Sequence, residues 1–195
     1  MNGSATVVRS GCMAKDADMI LSEFILLGIG GKELSEENAA QTAKALNIIQ
    51  PDFIRVHATG IKLESKLGEF VRDGSFTLQS EEEIVIEQKS FLQQLHEMDS
   101  YYVNEHIVNL LLEIRGNLRT EKQEMLSTID RFLTLPPDER LLFTVGRRLN
   151  IFFRLDDLKK PKLHQKAGES LQQILSKNPH VDFAALCNYV RQSQI

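Results

Sequence analysis

The sequence of 195 residues has only two cysteines, Cys12 and Cys187, far apart, and no CxxC or CxxxCxxC spacing. That scarcity excludes a disulfide framework and any metal site built from closely spaced cysteines, and leaves two reduced, unrelated thiols as the expectation. The five histidines, His57, His96, His106, His164 and His180, form no HExxH or His-x-His pair, so a zinc site has no support either. Long apolar runs are missing. Nowhere do ~18 consecutive apolar residues occur, and "MNGSATVVRSGCMAKDADMI" carries no signal-like apolar block. Basic clusters are missing too, none being longer than Arg147-Arg148 or Lys159-Lys160 on a chain of formal net charge −4. A phosphate-backbone binder needs a basic stripe, so neither nucleic acid nor a membrane is expected as partner, and the expected setting is soluble and cytoplasmic.

What is present is an ordinary globular composition, 42% hydrophobic and 26% charged, enough to bury one sizeable core. Phe24 to Leu27 is a short continuous apolar run closed by Gly28, which predicts a strand buried on both faces, as in a parallel sheet. A helix follows over 36–49, with Ser35 as N-cap, Glu36 and Glu37 in the first turn, and Ala39, Ala43 and Leu46 as its apolar stripe. "FIRVHA", 53–58, then alternates Phe53, Arg55 and His57 against Ile54, Val56 and Ala58. Strand, helix and strand at this spacing make a βαβ unit with parallel strands.

After Ala58 the strand signals stop and the remainder reads as helical. Ser80 and Glu83 stand in capping-box positions ahead of Ile84, Phe91, Leu92 and Leu95. "YYVNEHIVNLLLEIRGN" reads as a further helix through Val103, Ile107, Leu110, Leu111 and Ile114, stopped by Gly116, with Asn104, Glu105, His106 and Asn109 making caps or buried polar contacts. A second capping box, Thr120 with Gln123, precedes Leu126, Ile129 and Leu133. Further helical segments start at Pro136-Pro137 and lie around 163–175 and 179–191. Arg147-Arg148 and Asp156-Asp157 read as an ion-pair network within this helical region.

The stretch "GIGG", 28–31, is followed by no Lys-Ser/Thr of a P-loop and lacks the third glycine of a dinucleotide fingerprint, so it reads first as a tight turn. Two adjacent parallel strands do not make a stable sheet alone. The N-terminal region therefore reads as the end of a larger α/β sheet or barrel, with a helical extension after it.

"SEFILLGIGGKELSEENAAQTAKALNIIQPDFIRVHATGIKLESKLGEF" resembles the last third of the catalytic barrel of radical SAM proteins, in the subgroup related to oxygen-independent coproporphyrinogen oxidase. "NEHIVNLLLEIRGNL", "EKQEMLSTIDRFLTLPPDE" and "GRRLNIFFRLDDL" resemble that subgroup's C-terminal region, so the likeness runs from about Ala17 to Leu158. The resemblance implies an α/β, predominantly helical chain: the βαβ remnant of a partial (βα) TIM-like barrel over 1–75, then a helical C-terminal region over 76–195. Phe24 to Leu27 would be the fifth strand and Phe53 to Ala58 the sixth and last. Gly28, Gly30 and Gly31 would lie at the rim beside the adenosyl part of S-adenosylmethionine, where glycine permits close approach. Arg55 and His57, sharing one strand face, would point toward substrate in the lumen or, in the fragment, lie on a solvated face.

The family's 4Fe–4S cluster needs three cysteines in CxxxCxxC, and neither Cys12 nor Cys187 has that context. "ATGIKLES" also departs from the family's Gly-Thr-Pro-Leu-Tyr turn at Ile61 and Lys62, and His57 stands where arginine is usual. The expectation is a C-terminal fragment without catalytic or metal-binding residues of its own, binding no cofactor alone. The alternative is a non-catalytic helical binding or structural module. In either case the apolar strand edge at Phe24 to Leu27 calls for a cover: the N-terminal segment, a second copy of the chain, or a missing N-terminal half-barrel.

Overall fold

A computed structural model describes residues 3–194. Its central feature is the expected βαβ unit. Strand β1 (Ser22–Leu27) runs parallel to β2 (Phe53–Ala58), with Ser22 opposite Phe53 and Leu27 opposite Ala58. Helix α2 (Ser35–Ile49) joins them and buries Ala39, Ala43, Leu46 and Ile49, the stripe read from the sequence. The position before the helix is Leu34, which caps nothing with its side chain, and Ser35 is the first helical residue rather than its N-cap.

The strands do not end at Ala58. After helices α3 (Lys66–Asp73) and α4 (Glu81–Gln94), the chain enters β3 (Tyr101–Val103), which pairs parallel to β2 with Phe53 opposite Tyr101. A short β4 (Gly116–Asn117) pairs antiparallel to β3, giving the sheet order β1-β2-β3-β4. So β2 is internal rather than last, and residues 101–116 are two strands and a loop rather than a helix. The apolar spacing at 103–114 is real, but asparagine side chains compete with helical hydrogen bonds by offering their own. Asn109 Oδ1 accepts from Ala58 N–H at 2.7 Å and its Nδ2 donates to Val56 O at 2.7 Å, while Asn104 Nδ2 donates to Leu111 O at 2.7 Å. The Asn109 carboxamide thereby continues the ladder on β2 where β3 stops.

The α4 capping box is formed as read: Ser80 Oγ accepts from Glu83 N–H and the Glu83 carboxylate accepts from Ser80 N–H. The second box is not. Helix α5 (Lys122–Leu133) follows Glu121, whose carboxylate accepts from Asn117 N–H at 2.7 Å instead of capping the helix. Helices α6 (Pro137–Arg148), α7 (Pro161–Lys177) and α8 (Phe183–Gln192) complete the helical region, with a 3-10 turn at Leu155–Lys159. Together with α1 (Gly3–Asp16), which packs on α2, this makes eight α-helices and a four-stranded sheet among the described residues.

One apolar core runs through the molecule. Ile25, Leu27, Ile54, Val56 and Tyr102 of the sheet meet Ala43 and Leu46 of α2 and Ile84, Val85, Phe91 and Leu92 of α4. Phe132, Phe143 and Phe152 extend it, with Phe143 and Phe152 stacked at 5.8 Å, each fully buried ring contributing about 1.5–3 kcal/mol. Helices α2 and α4 pack on each other and on the same face of the sheet. The other face is uncovered: Phe24 is 63% and Leu26 46% exposed, which corrects the expectation of a strand buried on both faces. No helix of the described residues is long and apolar enough to cross a membrane.

Candidate functional site

Parallel pairing alternates along β1. Leu21 O accepts from Phe53 N–H and Leu27 O from Thr59 N–H, so the backbone groups of Ser22, Phe24 and Leu26 point away from β2 toward the free edge of the sheet. Leu26 O is taken by Asn38 Nδ2 at 3.1 Å, and the next outward group, Gly28 N–H, donates to Glu87 Oε2 at 3.2 Å. Helix α1 does not cover this edge. It lies on α2, tied by Lys15 Nζ to the Asp52 carboxylate at 2.7 and 2.8 Å.

The glycine turn closes the C-terminal end of β1. Gly28 and Gly31 adopt φ +82° and +62°, the left-handed region that glycine enters without a Cβ penalty, whereas Gly30 does not. The turn holds a carboxyl group, but the group belongs to the chain itself. Buried Glu87 of α4 accepts from Gly28 N–H, from Ser35 Oγ at 3.3 Å and from Asn38 Nδ2 at 2.7 Å, beside the positive N-terminal end of α2. A Cβ on Gly31 would meet Glu33 Oε2 at 2.9 Å and Thr77 O at 3.0 Å, so residues 76–79 fill the space beside it. The three glycines therefore face the chain's own atoms.

Arg55 and His57 lie elsewhere, on the open face of β2, where register places Phe24 opposite Arg55 and Leu26 opposite His57. The Arg55 guanidinium sits 6.0 Å from the Phe24 ring centroid and 5.8 Å from that of Phe53, and its Nε donates to Ser22 Oγ at 3.0 Å. His57 meets Phe24 edge-on at 5.4 Å and stacks on His106 at 4.2 Å. Burial, then the neighbouring His106 and Arg55, lower the His57 pKa and favour the neutral ring. A face of aromatic rings, one guanidinium and two imidazoles results. His57 and His106 are 49 positions apart in the chain, and no local pattern pairs them.

Beyond the end of β2 lies a polar cluster that sequence reading assigned differently. Arg148 pairs with Glu81 of α4, through Nε to Oε1 at 2.9 Å and Nη2 to Oε2 at 2.6 Å, and not with Asp156 or Asp157. Asp156 pairs with Arg131 and Lys159, and Asp157 with Lys160. Arg191 of α8 also pairs with Glu81 and donates to Thr59 O at 3.0 Å, while Asn188 takes both Ile61 N–H and Ile61 O. Burial pushes the Glu81 pKa up, and Arg148 and Arg191 more than reverse this, holding it below 4.5. Arg147, fully buried, has its pKa pushed down to about 10 by burial and by Arg148. It donates to Ile107 O at 2.7 Å and leaves Nε and Nη1 without partners. Burial, then the Glu81 charge, raise the Cys187 thiol to about 12, so it is protonated and unreactive.

A radical SAM cluster needs three thiolates. Cys12 lies in α1 and Cys187 in α8, and no group of three or more His, Cys, Asp or Glu among the described residues is placed to hold a metal ion. The residues present do not fit the cluster, and the filled glycine turn offers no open cradle for an adenosyl group. No family model, curated protein or solved structure matches the chain.

Proposed function

We propose that this chain is the C-terminal arc of a radical SAM-like (βα) barrel, catalytically silent by itself, whose open sheet face becomes the wall of a lumen when further parallel strands are added at β1. One observation carries the reading: β1, β2 and β3 are parallel and adjacent in chain order, and α2 and α4, one from each crossover, lie on one face. A doubly wound sheet sends its helices to both faces, whereas a (βα) barrel keeps them outside and turns the bare face inward. The outward backbone groups of Ser22 and Phe24 supply the ladder on which a preceding strand would pair. The occupant of the edge is then the preceding part of such a barrel, which also carries the CxxxCxxC cysteines, whether encoded in the same polypeptide or another.

Reading the DNA upstream of the Met1 codon, and mixing the chain anaerobically with the polypeptide encoded there, tests this. The expected result is an in-frame CxxxCxxC, protection of the Ser22 and Phe24 amides from exchange in the mixture, and cleavage of S-adenosylmethionine by the mixture alone. After desalting, the chain treated alone with iron and sulfide should show no visible absorbance of an iron–sulfur cluster. Cluster binding by the chain alone, or no cysteine motif and no protection, would overturn the proposal. The latter outcome favours the second reading, a non-catalytic docking module, which the Glu87-filled glycine turn supports.

A further inference from the structure

We infer that the open sheet face is a binding site for a flat aromatic carboxylate, with Arg55 taking the carboxylate and the rings of Phe24, His57 and His106 taking the aromatic body. The inference rests on the lumen reading for its setting, yet the site is complete in the chain itself. Arg55 enters no ion pair among the described residues, a state it shares with Arg9, Arg72, Arg119, Arg147 and Arg154, and what sets it apart is its seat between two aromatic rings on the open sheet face. Its Nε is committed to Ser22 Oγ, which fixes the plane of the guanidinium, and the Phe24 and Phe53 rings hold its carbon within cation–π distance. Both Nη groups are left without a hydrogen-bond partner among the described residues. A guanidinium oriented in this way, with its fork free, matches the two oxygens of a carboxylate.

The surroundings select the rest of the ligand. Phe24 stands edge-on to His57, and His57 stacks on His106, so the ground beside Arg55 is a row of ring faces and edges. Leu26, opposite His57, adds an apolar side chain to the same face. Burial and the neighbouring His106 and Arg55 favour the neutral form of His57, and Arg55 supplies the permanent charge of this face, which suits a monoanion better than a phosphate dianion. Arg147 adds a positive charge beneath the loop that carries His106, through its bond to Ile107 O, with two of its nitrogens unpartnered. The field over the face therefore favours an anion.

Titration of the full chain with naphthalene-2-carboxylate, followed by the side-chain resonances of Arg55, His57 and His106, tests the site. The neutral 2-naphthalenemethanol and inorganic phosphate serve as comparison probes. Saturable shifts at all three residues are expected with the carboxylate, and binding of both comparison probes should be weaker by about tenfold or more, which is ~1.4 kcal/mol. Arg55→Gln should lower the carboxylate affinity by a similar factor, about tenfold, with an unchanged unfolding midpoint, and Arg55→Lys should restore only part of it. Should Arg55→Gln fold poorly, Phe24→Leu keeps an apolar side chain and removes the ring, and is expected to weaken naphthalene-2-carboxylate while leaving phosphate unaffected. Equal affinity for the alcohol, equal affinity for phosphate, or an affinity indifferent to both variants would overturn the inference. Amide exchange at Phe24 reports strand addition separately, so strand completion without ligand binding refutes this site and leaves the barrel reading standing, and ligand binding without completion does the reverse.

Discussion

Glu81 of α4 ties that helix to α6 and α8 through Arg148 and Arg191. Its carboxylate is the one acid among Arg147, Arg148 and Arg191, all three buried. Taking one partner from a buried pair leaves an uncompensated charge, so Glu81→Gln should lower stability by about 3–5 kcal/mol at neutral pH, read from denaturant unfolding. The sign of the pH dependence follows from the lowered pKa. The Glu81 contribution is complete above its unfolded value of 4.5 and is lost as pH falls from there through the folded value. The gap between native chain and variant should therefore close in acid below about pH 4.5. A gap constant across that range would mean that Glu81 is not charged in the fold. Arg55 shows the opposite situation, a cation without an acid, placed where solvent or a ligand can reach it.

At the scale of elements, two asparagine side chains, Asn109 and Asn188, do the work of backbone. Asn109 satisfies Val56 O and Ala58 N–H, and Asn188 of α8 satisfies Ile61 N–H and O, so the β3 side of β2 and its extension is completed by carboxamides. Each buried backbone group left unpaired costs about 1–3 kcal/mol, so Asn109→Ala should destabilise by about 2 kcal/mol or more. Asn109→Asp keeps the acceptor for Ala58 N–H and brings a carboxylate against Val56 O, and should be no better than the alanine variant at neutral pH. Equal midpoints for native and alanine variants in a thermal melt would show that water replaces the carboxamide without cost.

At the scale of the whole molecule, the uncovered face and free edge of β1 determine how the chain meets other molecules. Phe24 and Leu26 face outward and Ile25 faces the core, so substitutions one position apart should behave oppositely. Phe24→Lys should leave the unfolding free energy within about 0.5 kcal/mol, as surface changes do, and should suppress concentration-dependent association of the isolated chain measured by light scattering. Ile25→Lys places an unpaired charge in the core and should unfold it. A native chain monomeric at every concentration, with Phe24→Lys no different, would show that the edge attracts nothing on its own.

Local order was legible in the sequence wherever the signal was short-range. The strand at 53–58, the α2 stripe of Ala39, Ala43 and Leu46, the Ser80–Glu83 box and the helix from Pro137 all rest on spacings of two to four residues, and the strand at 22–27 on a short apolar run closed by glycine. The alternation of "FIRVHA" likewise placed Arg55 and His57 on the half-exposed face of β2. "FILL" could not disclose its outward face, because a continuous apolar run has no alternation to read. The spacing at 103–114 misled because Asn104 and Asn109 find partners in β2 and in their own loop, which no helical template represents. Only the tertiary structure decided that Glu87 fills the glycine turn, that His57 stacks on His106, and that Arg148 reaches Glu81 across 67 positions. The reason is physical: backbone propensity and periodicity act between neighbours in the chain, whereas charge pairing, stacking and the choice of which face stays open depend on groups that only folding brings within a few ångströms.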